Sequence, residues 1–230
     1  MKREKINKIR LVLEDFLPPV IRDSFLFKFL IKKIVKNETL EKLKSIIINI
    51  SEKKYINLYK DLNRIHRESD LSQICLNEIL KNIKPNKIID VGCGEGFLLK
   101  KINQNFKDIN LTGIEIDFSS KLRKKLSKQN IKLIKMKIEN LHSIKEKFDT
   151  VICTHVLEHI LDINLAYKNL KKICKKRLII IVPRERAYMH TLNAHIHFFP
   201  YTWSFINTIR PKKNYIIKDL KRDLFYMENL

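Results

Sequence analysis

One short stretch constrains the fold of this chain more than any other, the run IIDVGCGEGF at residues 88–97. An apolar, β-branched segment holding one acid, Asp90, stops abruptly at a glycine-rich turn. Three of the chain's four glycines lie in this turn: Gly92, Gly94 and Gly96. Glycine is favoured where the backbone takes a positive φ or where a ligand approaches closely. The pattern predicts a buried strand, a tight turn and a helix, the nucleotide-binding corner of α/β folds.

The glycine spacing distinguishes between two classes of ligand. A dinucleotide fingerprint, G-x-G-x-x-G, requires glycine at position 97, which is Phe97 here. The observed G-x-G-x-G with Asp90 before it resembles the first motif of class I S-adenosylmethionine (SAM) methyltransferases. A carboxylate at the strand end suits the free ammonium group of SAM. The resemblance therefore implies SAM as cofactor, with contacts from Asp90, Gly92, Cys93, Gly94 and Gly96.

Further motifs of the same superfamily follow in chain order. The segment LTGIEI ends near Glu115 and Ile116, where an acid at the tip of a second strand accepts hydrogen bonds from a ribose diol. The segment FDTVICTHVLEH resembles the fourth-strand signature and implies that Thr154 lies beside the methionine part of SAM. Many relatives bind adenine with an acid after the third strand, where this chain has Lys137. The predicted adenine contacts are instead the backbone at Ile138 and the Glu139 carboxylate.

The alternation of strand and helix patterns predicts the fold class. We expect an α/β fold with a seven-stranded, mostly parallel, Rossmann-like methyltransferase sheet and helices on both faces. A helical N-terminal extension over residues 1–80 precedes the SAM-binding domain at residues 81–230. The predicted strands are 87–91, 110–116, 131–136, 148–153 and 177–182, and the C-terminal tail supplies a hairpin around residues 219–221.

The N-terminal extension contains an unusual helix, predicted over residues 20–36. Its apolar and aromatic residues cover most of the circumference, and lysines occupy the remainder. Such a helix packs on the catalytic domain or on a second copy, or it lies in a membrane interface. A later helix is predicted over residues 71–83 with Asp70 as its N-cap. Arg67 before it either faces the SAM carboxylate, as in some ubiquinone-type relatives, or ends a helix in solvent.

A second cluster of polar residues follows the predicted fourth strand. His155, Glu158 and His159 form H-x-x-E-H, which converges on one face if the segment is helical. Three interpretations remain open. The set is structural, or His155 or His159 is a general base for a hydroxyl acceptor, or the set holds a divalent metal. The metal ligands would then come from His155, Glu158, His159, His195 and His197.

Charge and cysteine content bear on partners and compartment. The formal net charge is +22, which is typical of proteins that contact nucleic acid or anionic membranes. The lysines are spread as short pairs, however, which is the usual pattern of a solvated helix face. The four cysteines form no C-x-x-C pair, which disfavours disulfides and a cysteine-based zinc site. With no signal-like or membrane-spanning segment, the chain is predicted to be cytoplasmic, either free or peripheral to the inner face of a membrane.

These observations converge on one functional prediction. The chain resembles a SAM-dependent methyltransferase, loosely nearest the ubiquinone-biosynthesis O-methyltransferases. We expect it to methylate a small-molecule or lipid- or glycan-linked acceptor at oxygen. Two alternatives are an RNA methyltransferase and a non-catalytic SAM-fold binding or assembly subunit at a membrane surface.

Overall fold

The computed structural model describes residues 12, 16–34, 71–188, 194–212 and 214–230. The chain divides into two compact units, residues 1–67 with 185–198 and residues 68–184 with 199–230. Arg67 lies outside the described residues, so its predicted contact with SAM stays a prediction, as does the domain boundary near residue 80.

The second unit is built on a seven-stranded sheet with the order β3-β2-β1-β4-β5-β7-β6. Strands β1 to β5 are parallel, and β7 is antiparallel to both β5 and β6. The predicted seven-stranded, mostly parallel sheet is confirmed. The strands are β1 Lys87–Val91, β2 Asn110–Glu115, β3 Ile131–Lys135, β4 Phe148–Thr154, β5 Cys174–Pro183, β6 Tyr215–Asp219 and β7 Asp223–Asn229.

Helices cover both faces of this sheet because each has one apolar stripe to bury. In the helix Ile163–Ile173, Ala166, Tyr167 and Leu170 are buried at spacings of three and four residues. This helix and Thr202–Ile209 contribute to one core cluster, and the helices on the other face contribute to a second. Helices α1 Pro19–Arg22 and α2 Phe25–Ile34 belong to the first unit. The helices of the second unit are α3 Gln73–Asn82, α4 Phe97–Asn105, α5 Ser120–Ser127, α6 Ile163–Ile173 and α7 Thr202–Ile209.

Three local predictions require correction. The N-cap of α3 is Ser72, whose hydroxyl accepts the N–H of Cys75, and not Asp70. Strand β5 begins at Cys174, three residues before the predicted start, because its first residues continue pairing with β4 across a register irregularity. The segment Leu157–His159 is a single 3₁₀ turn, and the helix after it begins only at Ile163.

The described part of the first unit contains two short helices, α1 Pro19–Arg22 and α2 Phe25–Ile34. The predicted continuous helix over residues 20–36 is therefore interrupted, and Ser24 caps the second segment by accepting the N–H of Phe27. Arg22 is buried, with its guanidinium 4.3 Å from the ring centroid of Tyr188. Among the residues that the structure describes, no helix has the length and apolarity needed to cross a membrane.

Candidate active site

The glycine-rich turn after β1 is held against its neighbours by backbone contacts. The N–H groups of Gly92 and Cys93 both donate to the carbonyl of Ile114 in β2, at 2.8 and 3.0 Å. Gly92 has a φ of +78°, and a Cβ there would lie 2.2 Å from Val156, just beyond β4. Only glycine fits so close an approach. The turn is therefore fixed between β2 and β4, at the switch point where doubly wound sheets bind ligands.

Gly94 differs from the other glycines in what lies beside its Cα. Its φ is +50°, and apart from its two chain neighbours no described residue places a heavy atom within 4 Å of the position that a Cβ would take. Packing inside the protein thus does not explain the absence of a side chain here. The open space is what a ligand approaching the backbone of the turn requires.

Cys93 plays a packing role inside the turn. Its side chain is buried, and a Cβ on Gly113 would lie 2.7 Å from its sulfur. The fourth glycine thus makes room for the Cys93 side chain. Burial raises the pKa of the Cys93 thiol, so it stays protonated at neutral pH. Any contact of Cys93 with a cofactor would therefore use its backbone.

Two carboxylates stand at this edge of the sheet. Asp90 is 1% exposed, and its Oδ1 has no hydrogen-bond partner among the described residues. Burial, and then the negative charge of Glu115, raise the pKa of Asp90 to about 7. Glu115 accepts the N–H groups of Gly94 and Ile116, each at 2.8 Å. Burial raises the pKa of Glu115, and these two hydrogen bonds oppose that rise.

The end of β3 leads into a 3₁₀ helix, Ile138–Ser143. Ile138 is buried, and its carbonyl and that of Glu139 accept hydrogen bonds from the Asn169 side chain in α6, at 3.3 and 2.8 Å. The Asn169 amide therefore fixes the first turn of this 3₁₀ helix relative to the sheet. The assignment of Ile138 and Glu139 to adenine binding stays a prediction.

The residues at the carboxyl end of β4 adopt a strained backbone. Thr154 is the last residue of the strand, and His155 after it has a φ of +53° while donating its N–H to Ile181 in β5. Non-glycine residues in this region cost free energy and cluster at functional sites. The positive φ ends the strand sharply, so the side chains of H-x-x-E-H do not share one helix face as predicted.

The His155 ring lies between two buried carboxylates instead. Its Nδ1 is 3.6 Å from Oε1 of Glu158, and its Nε2 is 3.6 Å from Oδ1 of Asp223. Both acids are fully buried, and His155 is 9% exposed. His159 approaches the same Glu158 oxygen at 3.9 Å. Because both His155 nitrogens face carboxylates, its ring suits a positioning role.

Asp223 was not recognised from the sequence. It begins β7, and its second oxygen faces the hydroxyl of Ser72 and the thiol of Cys75, at 3.4 and 3.3 Å. The start of α3, the end of β4 and the start of β7 are thereby joined through one carboxylate. No motif marks Asp223, since its position depends on the register of the C-terminal hairpin.

The other predicted metal ligands belong to the first unit. His195 contacts the buried carboxylate of Glu185 through its Nδ1. Within the second unit, His155, Glu158 and His159 bring two imidazoles to one carboxylate oxygen, as described above. This donor set suits Zn²⁺ or Mn²⁺ better than Mg²⁺. A divalent metal stays a prediction.

The sheet order, the glycine-rich turn at the switch point, and the carboxylates of Asp90 and Glu115 at the ends of β1 and β2 are those of class I SAM-dependent methyltransferases. A family model described as a methyltransferase domain matches residues 64–212. The chain belongs to this family, and the superfamily assignment made from the sequence is confirmed.

Known proteins with similar sequences or structures include several methyltransferases. A ubiquinone biosynthesis O-methyltransferase of Rickettsia bellii is 31% identical over 141 residues, which cover 54% of this chain and 56% of the relative. A ribosomal RNA small subunit methyltransferase G of Mycoplasma capricolum is 30% identical over 129 residues, covering 54% and 55%. The chain thus spans little more than half the length of these relatives. The magnesium protoporphyrin IX methyltransferase of Synechocystis with bound SAM has 16% identity and a TM-score of 0.50, covering 78% of this chain and 98% of that one.

The residues at the β1 turn fit SAM, the methyl donor of this domain class. Asp90 offers a buried carboxylate oxygen that no described residue satisfies, which suits an ammonium group. Gly94 offers backbone that a ligand can approach without hindrance from a described side chain. Both residues lie at the carboxyl end of β1 or just beyond it, where this fold binds its ligands.

Proposed function

We propose that this chain transfers a methyl group from SAM to an oxygen of a small-molecule or lipid- or glycan-linked acceptor. The observation that carries the proposal is the buried Asp90 carboxylate, with one oxygen unsatisfied by described residues, beside the open Gly94 turn. Asp90 binds the ammonium group, Glu115 the ribose, and Thr154 lies beside the methionine part. The backbone of Gly92, Cys93, Gly94 and Gly96 lines the ligand, and Ile116, Ile138 and Glu139 complete the nucleoside site.

The chemistry of the acceptor site follows from charge and geometry. Bound SAM supplies an electrophilic methyl group on a sulfonium centre. A hydroxyl acceptor must lose its proton as the new bond forms, and a histidine near neutral pH can take it. His159 is the candidate base, because Glu158 at 3.9 Å stabilises the imidazolium that results. His155, held by Glu158 and Asp223, fixes the loop that carries the base.

Titration with S-adenosylhomocysteine (SAH) tests the cofactor site. We expect saturable binding by the intact chain and an affinity at least about tenfold weaker in Gly94→Asn. Asparagine tolerates a positive φ, so this variant retains the turn while its side chain occupies the ligand's space. Isothermal calorimetry measures the affinity, and a thermal melt without ligand checks that the variant is folded. Equal affinity in both proteins contradicts the assigned cofactor site. No binding by a folded wild type contradicts the proposal and favours a non-catalytic subunit.

Methylation of RNA is the second candidate function. Similarity to a ribosomal RNA methyltransferase favours it, as does helix α5, whose buried Leu122 and Leu126 leave a cationic outer face. That face carries Lys121, Arg123, Lys124 and Lys125. Helix α5 packs on β3, at one edge of the sheet, whereas β5, β7 and β6 form the other. The base candidates follow β4, between the two edges, so the basic helix is not adjacent to them in strand order.

We propose further that the first unit attaches the protein to the inner face of a membrane. Three apolar side chains in α1 and α2 are strongly exposed. Val20 in α1 is 79% exposed, and Phe25 and Leu26 at the start of α2 are 83% and 69% exposed. Phe16, Ile21 and Leu30 are also exposed. Contiguous exposed apolar surface marks an interaction site. Helix α2 also carries Lys28, and the chain is strongly basic, which favours an anionic lipid surface.

Vesicle co-sedimentation tests this attachment. We expect the full chain to sediment with vesicles containing phosphatidylglycerol and less with pure phosphatidylcholine. Phe25→Glu with Leu26→Glu should weaken the binding at least about tenfold, since two apolar side chains no longer enter the interface. Leu161→Glu, an exposed leucine in the second unit, is the matched control and should bind normally. Equal sedimentation of the double variant would refute membrane contact through this helix.

A further inference from the structure

Two aromatic side chains at the start of α7 stack on each other in solvent. The rings of Tyr201 and Trp203 have centroids 5.5 Å apart and planes inclined by 13°. Tyr201 is 46% exposed and Trp203 is 60% exposed, although aromatic rings beside them, Phe199 and Phe205, are buried. Trp203 is also the chain's only tryptophan. A large exposed aromatic surface of this kind marks a binding site.

Topology puts this aromatic pair at the edge of the sheet where the active site lies. Strand β6 is antiparallel to β7, and β7 is antiparallel to β5, so β6 runs in the same direction as β5. Tyr215 therefore starts β6 at the amino edge, and α7, which packs on α6 and β6, leads down to it. The start of α7 consequently lies at the carboxyl edge, where Thr154 ends β4.

The pair is presented on a rigid support. The Ser204 hydroxyl donates to the Tyr201 carbonyl at 2.6 Å and accepts the Tyr201 N–H at 3.3 Å, closing the first turn. One residue further along, Phe205 is buried between the rings of Phe199 and Tyr226, at centroid distances of 5.1 and 5.7 Å. Helix α7 is therefore anchored by its buried face, and little conformational freedom remains to be lost when a ring binds.

We infer that Trp203, backed by Tyr201, is the stacking platform for a planar aromatic ring in the methyl acceptor. This inference rests on the proposed methyltransferase function and adds to it the residue that selects the acceptor. The flat indole face favours another planar ring in offset stacking. A neutral ring fits better than a nucleic acid here, because the basic helix α5 lies on β3, at the opposite edge of the sheet from β6 and α7. Arg184, which directly follows β5, is paired with Asp219 at 3.1 Å.

Trp203 reports on its own environment, because no other tryptophan emits. With SAH present, we expect catechol to quench its fluorescence saturably, whereas cyclohexane-1,2-diol, with the same hydroxyls on a puckered ring, does not. In calorimetry, Trp203→Ala should weaken catechol binding about tenfold, and Trp203→Phe should retain most of it. Leu161→Ala, which removes another exposed apolar side chain, is the control and should leave catechol binding unchanged.

The outcomes separate this inference from the cofactor proposal. If the wild type binds SAH but catechol and the cyclic diol quench alike, or neither quenches, the platform is refuted while the cofactor site stands. If single-stranded RNA quenches steeply with falling salt and catechol does not, the ligand is a nucleobase and the inference is wrong. If SAH itself does not bind to the folded chain, the proposed function fails first.

Discussion

Raising the pH from about 6 to about 8 should tighten SAH binding by about tenfold, with most of the change between about pH 6 and 7. The cause is Asp90, whose pKa is raised to about 7 by burial and then by the charge of Glu115. The ammonium group of the ligand requires the ionised carboxylate, and about nine-tenths of the Asp90 population is protonated one pH unit below its pKa. Calorimetry across this pH range, in buffers with different ionisation enthalpies, would also detect the proton released on binding.

The raised pKa of Asp90 strengthens SAH binding as the pH rises, but it lowers the folding stability of the ligand-free protein over the same range. The folded state keeps the Asp90 proton up to about pH 7, whereas an ordinary aspartate loses it near 3.8. Asp90 therefore contributes stability that is fully present below about pH 4 and is lost as pH rises through about 7. A bound ammonium group compensates the negative charge that Asp90 carries above about pH 7, where the ligand-free protein has lost this contribution to its stability. Melting temperatures with and without SAH should accordingly diverge as the pH rises.

Asp90→Asn tests how much of the SAH affinity depends on the negative charge of this side chain. The amide is nearly the same size but cannot ionise, so SAH affinity should fall about 100-fold near pH 8 and lose its pH dependence. Glu146→Gln is the matched control, because Glu146 is a half-exposed acid paired with Lys87 at 2.6 Å. Its SAH affinity should follow that of the wild type. A wild-type affinity that stays constant between about pH 6 and 8 would show that Asp90 does not pair with the ligand.

The parts of the fold that were predictable are those encoded by local patterns. Strand β1 has the predicted bounds, since a β-branched run is followed directly by glycine. The three glycines of the turn all take positive φ, as their concentration in one place implied. Such signals need no knowledge of distant residues, because a strand and the turn that ends it are contiguous in sequence.

The parts that were missed depend on contacts between distant segments. His155 does not lie on the expected helix face, because it takes a positive φ directly after Thr154, the last residue of β4. Its partner Asp223 reaches it only through the pairing of β7 with β5, in which Asp223 lies opposite Pro183. A single sequence carries no periodicity that relates positions so far apart. The cofactor corner was therefore predictable in outline, and the polar cluster behind the candidate base was not.

The C-terminal hairpin is joined to α6 by a buried polar cluster that also escaped sequence reasoning. Glu228 in β7 is 2% exposed, and its Oε2 accepts the hydroxyls of Tyr167 and Tyr226 at 2.5 and 3.0 Å. Its Oε1 accepts Lys171 at 2.5 Å. Burial, and then the hydrogen bond to Glu228, raise the pKa of Tyr167. The phenols therefore remain donors at neutral pH, and one carboxylate satisfies all three groups.

Glu228→Ala should lower the free energy of unfolding by about 2 to 4 kcal/mol, because it leaves two buried hydroxyls and a partly buried cation without their shared acceptor. Urea denaturation followed by circular dichroism measures this loss. Glu146→Ala removes a half-exposed partner of Lys87 and should cost less than about 1 kcal/mol. Similar losses in the two variants would mean that the Glu228 cluster contributes no more than a surface ion pair. A large loss for Glu228 alone would identify the hairpin as an integral part of the sheet, whose register then fixes Asp223 against His155.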